Sequence, residues 1–123
     1  PQVGISKRLF IVSPSGKQRY PHCNIDDTLI VINPEIKILT QKTDCDYEGC
    51  LSIPGIRGKV SRPIKIEVNY LNRLGEQHTE IFENFIARIF LHENDHLNGT
   101  VFLDLMESNK SIITDNEYIK LFD

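Results

Sequence analysis

His92-Glu93-Asn94-Asp95-His96 concentrates more potential chemistry than any other five residues of this 123-residue chain. On a helix, residues four apart share one face, about one turn or roughly 5.4 Å apart. Both imidazoles can then bind one metal ion, and the Glu93 carboxylate can reach a water on that ion. This is the skeleton of a hydrolytic metal centre, short of a third ligand. The bland reading is a solvated helix face that happens to carry histidines. Against it, His92 and His96 share a stripe with Phe85 and Ile89, which turns them inward, and buried imidazoles need polar partners.

Downstream, Asp104 and Glu107 are the nearby acidic candidates for the third ligand, and no histidine follows His96. Upstream, Cys50 stands in Glu48-Gly49-Cys50-Leu51-Ser52-Ile53-Pro54-Gly55. Gly49 permits an unusual backbone and close approach, so this segment can lie beside the helix. One thiolate and two imidazoles leave a fourth position open, as a catalytic rather than a structural metal requires.

Elements that could position these groups are legible in the periodicity. Leu9–Val12 reads as a strand closed by the turn Ser13-Pro14-Ser15-Gly16. Thr28–Ile32 reads as a second strand stopped by Asn33-Pro34, and Glu35–Leu39 as a third. Ile64, Ile66, Val68 and Tyr70 alternate with Lys65, Glu67 and Asn69, the pattern of a half-buried strand. A turn through Leu71–Gly75 leads into Glu76–Phe82, a hairpin. The period then becomes helical through Phe85, Ile86, Ile89, Phe90, Glu93 and Leu97, with Asn84 as N-cap and Gly99 just past the end. Thr114 and Glu117 form a capping box for a short C-terminal helix. The expected architecture is α+β: antiparallel sheets packed around a central metal-binding helix.

Composition narrows the function classes. A net charge of −3 without a Lys/Arg cluster argues against direct nucleic-acid binding. No apolar run approaches the roughly 20 residues of a membrane span. Three cysteines, an odd number, fit a reducing compartment better than a disulfide framework. Cys23 and Cys45 read as inert thiols, and His22 and His78 as surface residues. The length suits one domain.

Taken together, Glu48-Gly49-Cys50-Leu51-Ser52 and His92-Glu93-Asn94-Asp95-His96 resemble the peptide deformylase family. The resemblance extends to Ser52-Ile53-Pro54, Arg57, Arg62 and Leu97–Asp104. It implies removal of the formyl group from the N-terminal N-formylmethionine of nascent polypeptides, with release of formate. It also implies a divalent metal on Cys50, His92 and His96, usually Fe(II), with zinc, nickel or cobalt able to occupy the same ligands. Metal-bound water would attack the formyl carbon with Glu93 as general base and then acid. The Leu51 N–H and the Gln2 amide would stabilise the oxyanion. Gly49, Arg57, Phe85 and Ile89 would contact the substrate. Asp95 would orient a ligand or pair with Arg62, and Glu48 would play the same part for the loop that carries Cys50. A formylated substrate implies the bacterial cytoplasm, with an organelle as the lesser option, and nascent chains at the ribosome as partners.

Two features depart from the family's pattern. Of its glycine-rich first motif, only Pro1-Gln2-Val3-Gly4 is present, so the chain reads as a single catalytic domain, 1–123, lacking the family's N-terminal helix and the start of that motif. Leu91 stands where the family usually has glutamine. These departures keep two rivals open: a catalytically impaired homologue acting as a binding protein, and a zinc metallopeptidase.

Overall fold

A computed structural model of the chain describes residues 1–13 and 28–123. Their element order is β1 (Leu9–Val12), β2 (Leu29–Ile38), β3 (Thr43–Cys50), β4 (Ile53–Pro63), β5 (Lys65–Leu71), β6 (Gln77–Glu83), α1 (Asn84–Leu97), α2 (Phe102–Leu105), β7 (Ile113–Thr114) and α3 (Asp115–Ile119). Short 3-10 turns cover Asn109–Ser111 and Lys120–Phe122. The strands form two sheets, one ordered β1-β2-β5-β6 and the other β3-β4-β7, with every pairing antiparallel. The α+β architecture expected from the periodicity is the one observed. The expected turn at Ser13–Gly16 runs outside the described residues, as do His22 and Cys23.

The alternation in β5 places Ile66, Val68 and Tyr70 on the buried face of the first sheet. Helix α1 lays Ala87 and Phe90 on that face, and Phe10, Val12 and Val31 complete the core. The Phe90 ring stacks on Phe82 at 4.2 Å between centroids and meets Phe10 edge-on at 5.7 Å. Each such side chain contributes about 1.5–3 kcal/mol through burial, so the core anchors the metal helix along its length. On its other flank α1 meets the second sheet, where Arg88 Nη1 donates to the Val60 carbonyl at 2.8 Å. Farther along β4, Gly58 makes room for α2, because a Cβ there would run into the Met106 side chain and lie 3.3 Å from the Phe102 ring.

Three expectations need correction. Asn33-Pro34 does not end a strand: β2 runs through it, with a register shift between Ile32 and Glu35. Asn33 takes a φ of 49°, which asparagine tolerates better than most residues, and its N–H finds the Arg8 carbonyl at 2.8 Å. Helix α1 starts at Asn84 itself, with φ of 54°; its N–H goes to the Ile64 carbonyl, and the cap position falls to Glu83, whose side chain makes no capping bond. The capping box at Thr114 is half formed. Thr114 Oγ1 accepts from the Glu117 N–H at 3.2 Å, whereas the Glu117 carboxylate accepts from Lys120 Nζ at 2.7 Å.

Tyr70 gives this core a pH dependence. Its phenol is 4% exposed and donates to Glu80 Oε2 at 3.0 Å. Burial, reinforced by the Glu80 carboxylate, pushes its pKa up to about 12. The folded protein therefore disfavours the phenolate, and Tyr70 contributes stability that is complete below the unfolded value of about 10. That contribution is lost as pH rises toward the folded value of about 12. Urea unfolding at about pH 9 and about pH 11.5 should show a loss of about 2 kcal/mol that Tyr70→Phe removes.

Candidate metal centre

Cys50 is the last residue of β3, and a tight reversal at Leu51-Ser52 leads into β4. The segment expected to lie beside the helix is thus the end of a hairpin, with a register shift between Gly49 and Cys50 that re-aims the thiol. Gly49 does not use the left-handed backbone region open to glycine. What it supplies is room, since a Cβ there would lie 3.3 Å from three atoms of the Arg57 side chain.

Helix α1 brings His92 and His96 to that hairpin end. Cys50 Sγ lies 3.3 Å from His96 Nε2, and His96 Nε2 lies 3.3 Å from His92 Nε2. The three donor atoms all fall within 4.8 Å of one another. Tetrahedral ligands at usual zinc bond lengths stand about 3.3 Å apart for two nitrogens and about 3.6 Å for sulfur and nitrogen. The donors therefore match the spacing a single ion requires.

A buried carboxylate backs the imidazoles. Glu48 Oε1 lies 3.3 Å from His92 Nδ1, which leaves Nε2 to face the thiol and the other imidazole. A metal-ligating histidine usually has its second nitrogen fixed this way. Burial alone would push the Glu48 carboxyl up, but its hydrogen bonds to His92 and the Arg62 guanidinium hold it below the usual carboxylate range. Burial likewise opposes a charged His92, yet hydrogen bonds to Glu48 and Cys50 and the carboxylate charges of Glu48 and Glu93 push it up to about 9. The field at His92 thus favours a cation, and a metal ion is one.

Arg62 reaches Glu48 with both Nε and Nη2, at 3.2 and 3.1 Å, and Asp95 with Nη1 at 2.6 Å. The expected Arg62–Asp95 pair is therefore present, and Glu48 joins it. Arg88, unassigned in the sequence, lies 3.8 Å from Glu48 and donates to the Val60 and Asp44 carbonyls. A lone arginine inside the apolar stretch Phe85–Phe90 was the signal that could have found it.

The remaining predicted residues line two cavities that meet at His92 and Glu93. One, of about 610 Å³, is lined by Gln2, Leu51, Cys50 and His96 as well. Gln2 is exposed there, and the Leu51 side chain is 85% exposed, so only the Leu51 backbone suits a role in the cleft. The other, of about 570 Å³, is lined by Gly49, Arg57, Phe85 and Ile89, together with Tyr118 and Phe122. Arg57 is a strand residue held by Asp115 at 2.8 Å. Leu91 packs against the core, away from the ligand face. Asp104, the rival third ligand, instead accepts from the Val101 N–H at 2.9 Å and caps α2. Glu107 is exposed and stands apart from the cluster of Cys50, His92 and His96. Among the described residues, no helix is long and apolar enough to cross a membrane.

A thiolate and two imidazoles with a carboxylate alongside form the donor set of a mononuclear hydrolytic centre. The sequence pattern of the polypeptide deformylase family matches residues 1–111, and the chain belongs to that family. It is 46% identical to peptide deformylase 2 of Nostoc sp. over 121 residues, covering 98% of this chain and 68% of that protein. Against the peptide deformylase of Fusobacterium nucleatum the identity is 43%, covering 85% of this chain but 55% of the relative. The Met-Ala-Ser-bound crystal structure of the class I type b enzyme from Acinetobacter baumannii superposes with a TM-score of 0.78 at 42% identity, covering 86% of this chain and 67% of that one. The actinonin complex of the Synechococcus elongatus enzyme gives 0.77 at 36%, covering 90% and 56%.

The Glu48 network makes a specific prediction. Glu48→Gln removes the anion between two buried guanidiniums and the acceptor behind His92. Chelator competition should show metal affinity reduced by about 10- to 100-fold, and thermal unfolding should show a lower midpoint.

Proposed function

We propose that this chain acts as a peptide deformylase, hydrolysing the formyl amide of N-formylmethionyl polypeptides to formate and a free amine. The observation that carries this reading is the convergence of Cys50, His92 and His96 within 4.8 Å, with Glu93 lining both adjoining cavities. Family membership supplies the substrate class.

A divalent metal held by Cys50, His92 and His96 would supply Lewis acidity, lowering the pKa of water toward neutral and polarising the formyl oxygen. Fe(II) is the proposed ion, and the same donors accept zinc, nickel or cobalt. The protein's own groups do the rest. Glu93, which lines both cavities, takes the proton from the attacking water and returns it to the leaving nitrogen. The Leu51 N–H and the Gln2 side-chain amide donate to the oxygen that gains charge as the carbon becomes tetrahedral. The cavity bearing Gly49, Phe85 and Ile89 receives the methionine side chain, and Arg57 borders the peptide that follows. Glu48 fixes the His92 tautomer throughout. The substrates are newly made chains leaving a ribosome, which places the activity in the bacterial cytoplasm.

Formate release from formyl-Met-Ala-Ser by anaerobically Fe(II)-loaded protein tests the reading. Wild-type protein should turn over. Glu93→Gln should lose about 10²- to 10⁴-fold in kcat while retaining one metal per chain. A folded, metal-loaded protein that releases no formate would overturn the assignment.

A further inference from the structure

The family match ends at residue 111, yet α3 and the turn after it wall the cavity that begins at Glu93. Tyr118 is fixed from three sides. Its ring meets Tyr47 at 5.6 Å and Phe122 at 5.0 Å, and the Arg57 guanidinium lies 4.3 Å above it. Asp115 adds the 2.8 Å bond to Arg57 Nε, which ties α3 to β4. Phe122 stays 70% exposed at the cavity mouth. Exposed apolar side chains are ordinary on protein surfaces. This one borders a space of about 570 Å³ that runs inward to His92 and Glu93.

We infer that the C-terminal segment, through Tyr118 and Phe122, forms a subsite that selects an apolar side chain at the second residue of the peptide substrate. The inference rests on the deformylation reading, which sets the direction of the bound chain. With the formyl group at Glu93 and the first side chain against Phe85 and Ile89, the peptide leaves toward the cavity mouth. The next side chain then meets Tyr118 and Phe122. Both partners are apolar there, so an aliphatic side chain gains burial that alanine cannot.

The test compares formyl-Met-Leu-Ser with formyl-Met-Ala-Ser on the metal-loaded full chain. An added apolar group in a pocket changes kcat/KM at the low end by about tenfold, and a half-open rim belongs at that end. Wild-type protein should favour the leucine peptide by about that factor. Phe122→Ala and Tyr118→Ala should each reduce the preference, read as the ratio of the two kcat/KM values, to about twofold or less. Phe122→Ala alters an exposed side chain and keeps the test decisive if Tyr118→Ala unfolds. Calorimetric binding of the product peptides Met-Leu-Ser and Met-Ala-Ser provides a readout independent of turnover. The same preference in binding, lost in Phe122→Ala, would support the subsite even if no formate were released and the deformylation reading failed. Equal handling of the two peptides by wild type, or a preference that survives Phe122→Ala, would overturn the inference.

Discussion

The site depends on one buried anion. Glu48, 5% exposed, sits between the Arg62 and Arg88 guanidiniums and against His92. It joins three elements: strand β3, which carries Cys50, its neighbour β4 through Arg62, and helix α1 through Arg88 and His92. Burying charges is costly unless each is paired and hydrogen-bonded, and breaking such a pair costs several kcal/mol. The cluster therefore has little freedom to rearrange. That rigidity keeps a thiol on one element and two imidazoles on another at ligand spacing.

The hydrophobic core sets the other half of the geometry. Phe90 and Ala87 press α1 onto the first sheet, while another face of the helix carries His92 and His96 toward the hairpin end at Cys50. Glu93 then lies where two cavities join. One holds the predicted oxyanion donors, and the other holds the apolar and cationic groups suited to a peptide. The division matches a reaction in which a small formyl group leaves one way and a polypeptide extends the other.

Much of this was legible in the residues because the relevant signals are local. The alternation from Lys65 to Tyr70 and the helical stripe from Phe85 to Leu97 each report one buried face, and both elements appear as read. The two histidines one turn apart and the Cys50 segment pointed to the three groups that the fold brings within 4.8 Å of one another. Other features were hidden because they depend on distant partners. Strands β3 and β4 mix Asp, Lys, Arg and Gly with few apolar residues, since their inner positions hold Glu48 and Arg62 in place of aliphatic side chains. The bulge at Asn33 looks like a strand end when read without β5 beside it. Arg88 is buried only because carbonyls of Val60 and Asp44 meet it there. The contribution of Tyr118 follows from a tertiary contact with Arg57 that no short-range pattern encodes.

The central claim is that Cys50, His92 and His96 bind one metal ion together. The absorption spectrum of the Co(II)-loaded protein tests it most directly, because a thiolate ligand adds an intense sulfur-to-metal charge-transfer band to the weaker ligand-field bands of a tetrahedral ion. That band is expected at one cobalt per chain, with its loss in Cys50→Ser and weakened binding in His92→Ala and His96→Ala. A wild-type spectrum without the thiolate band, or one unchanged by Cys50→Ser, would contradict it.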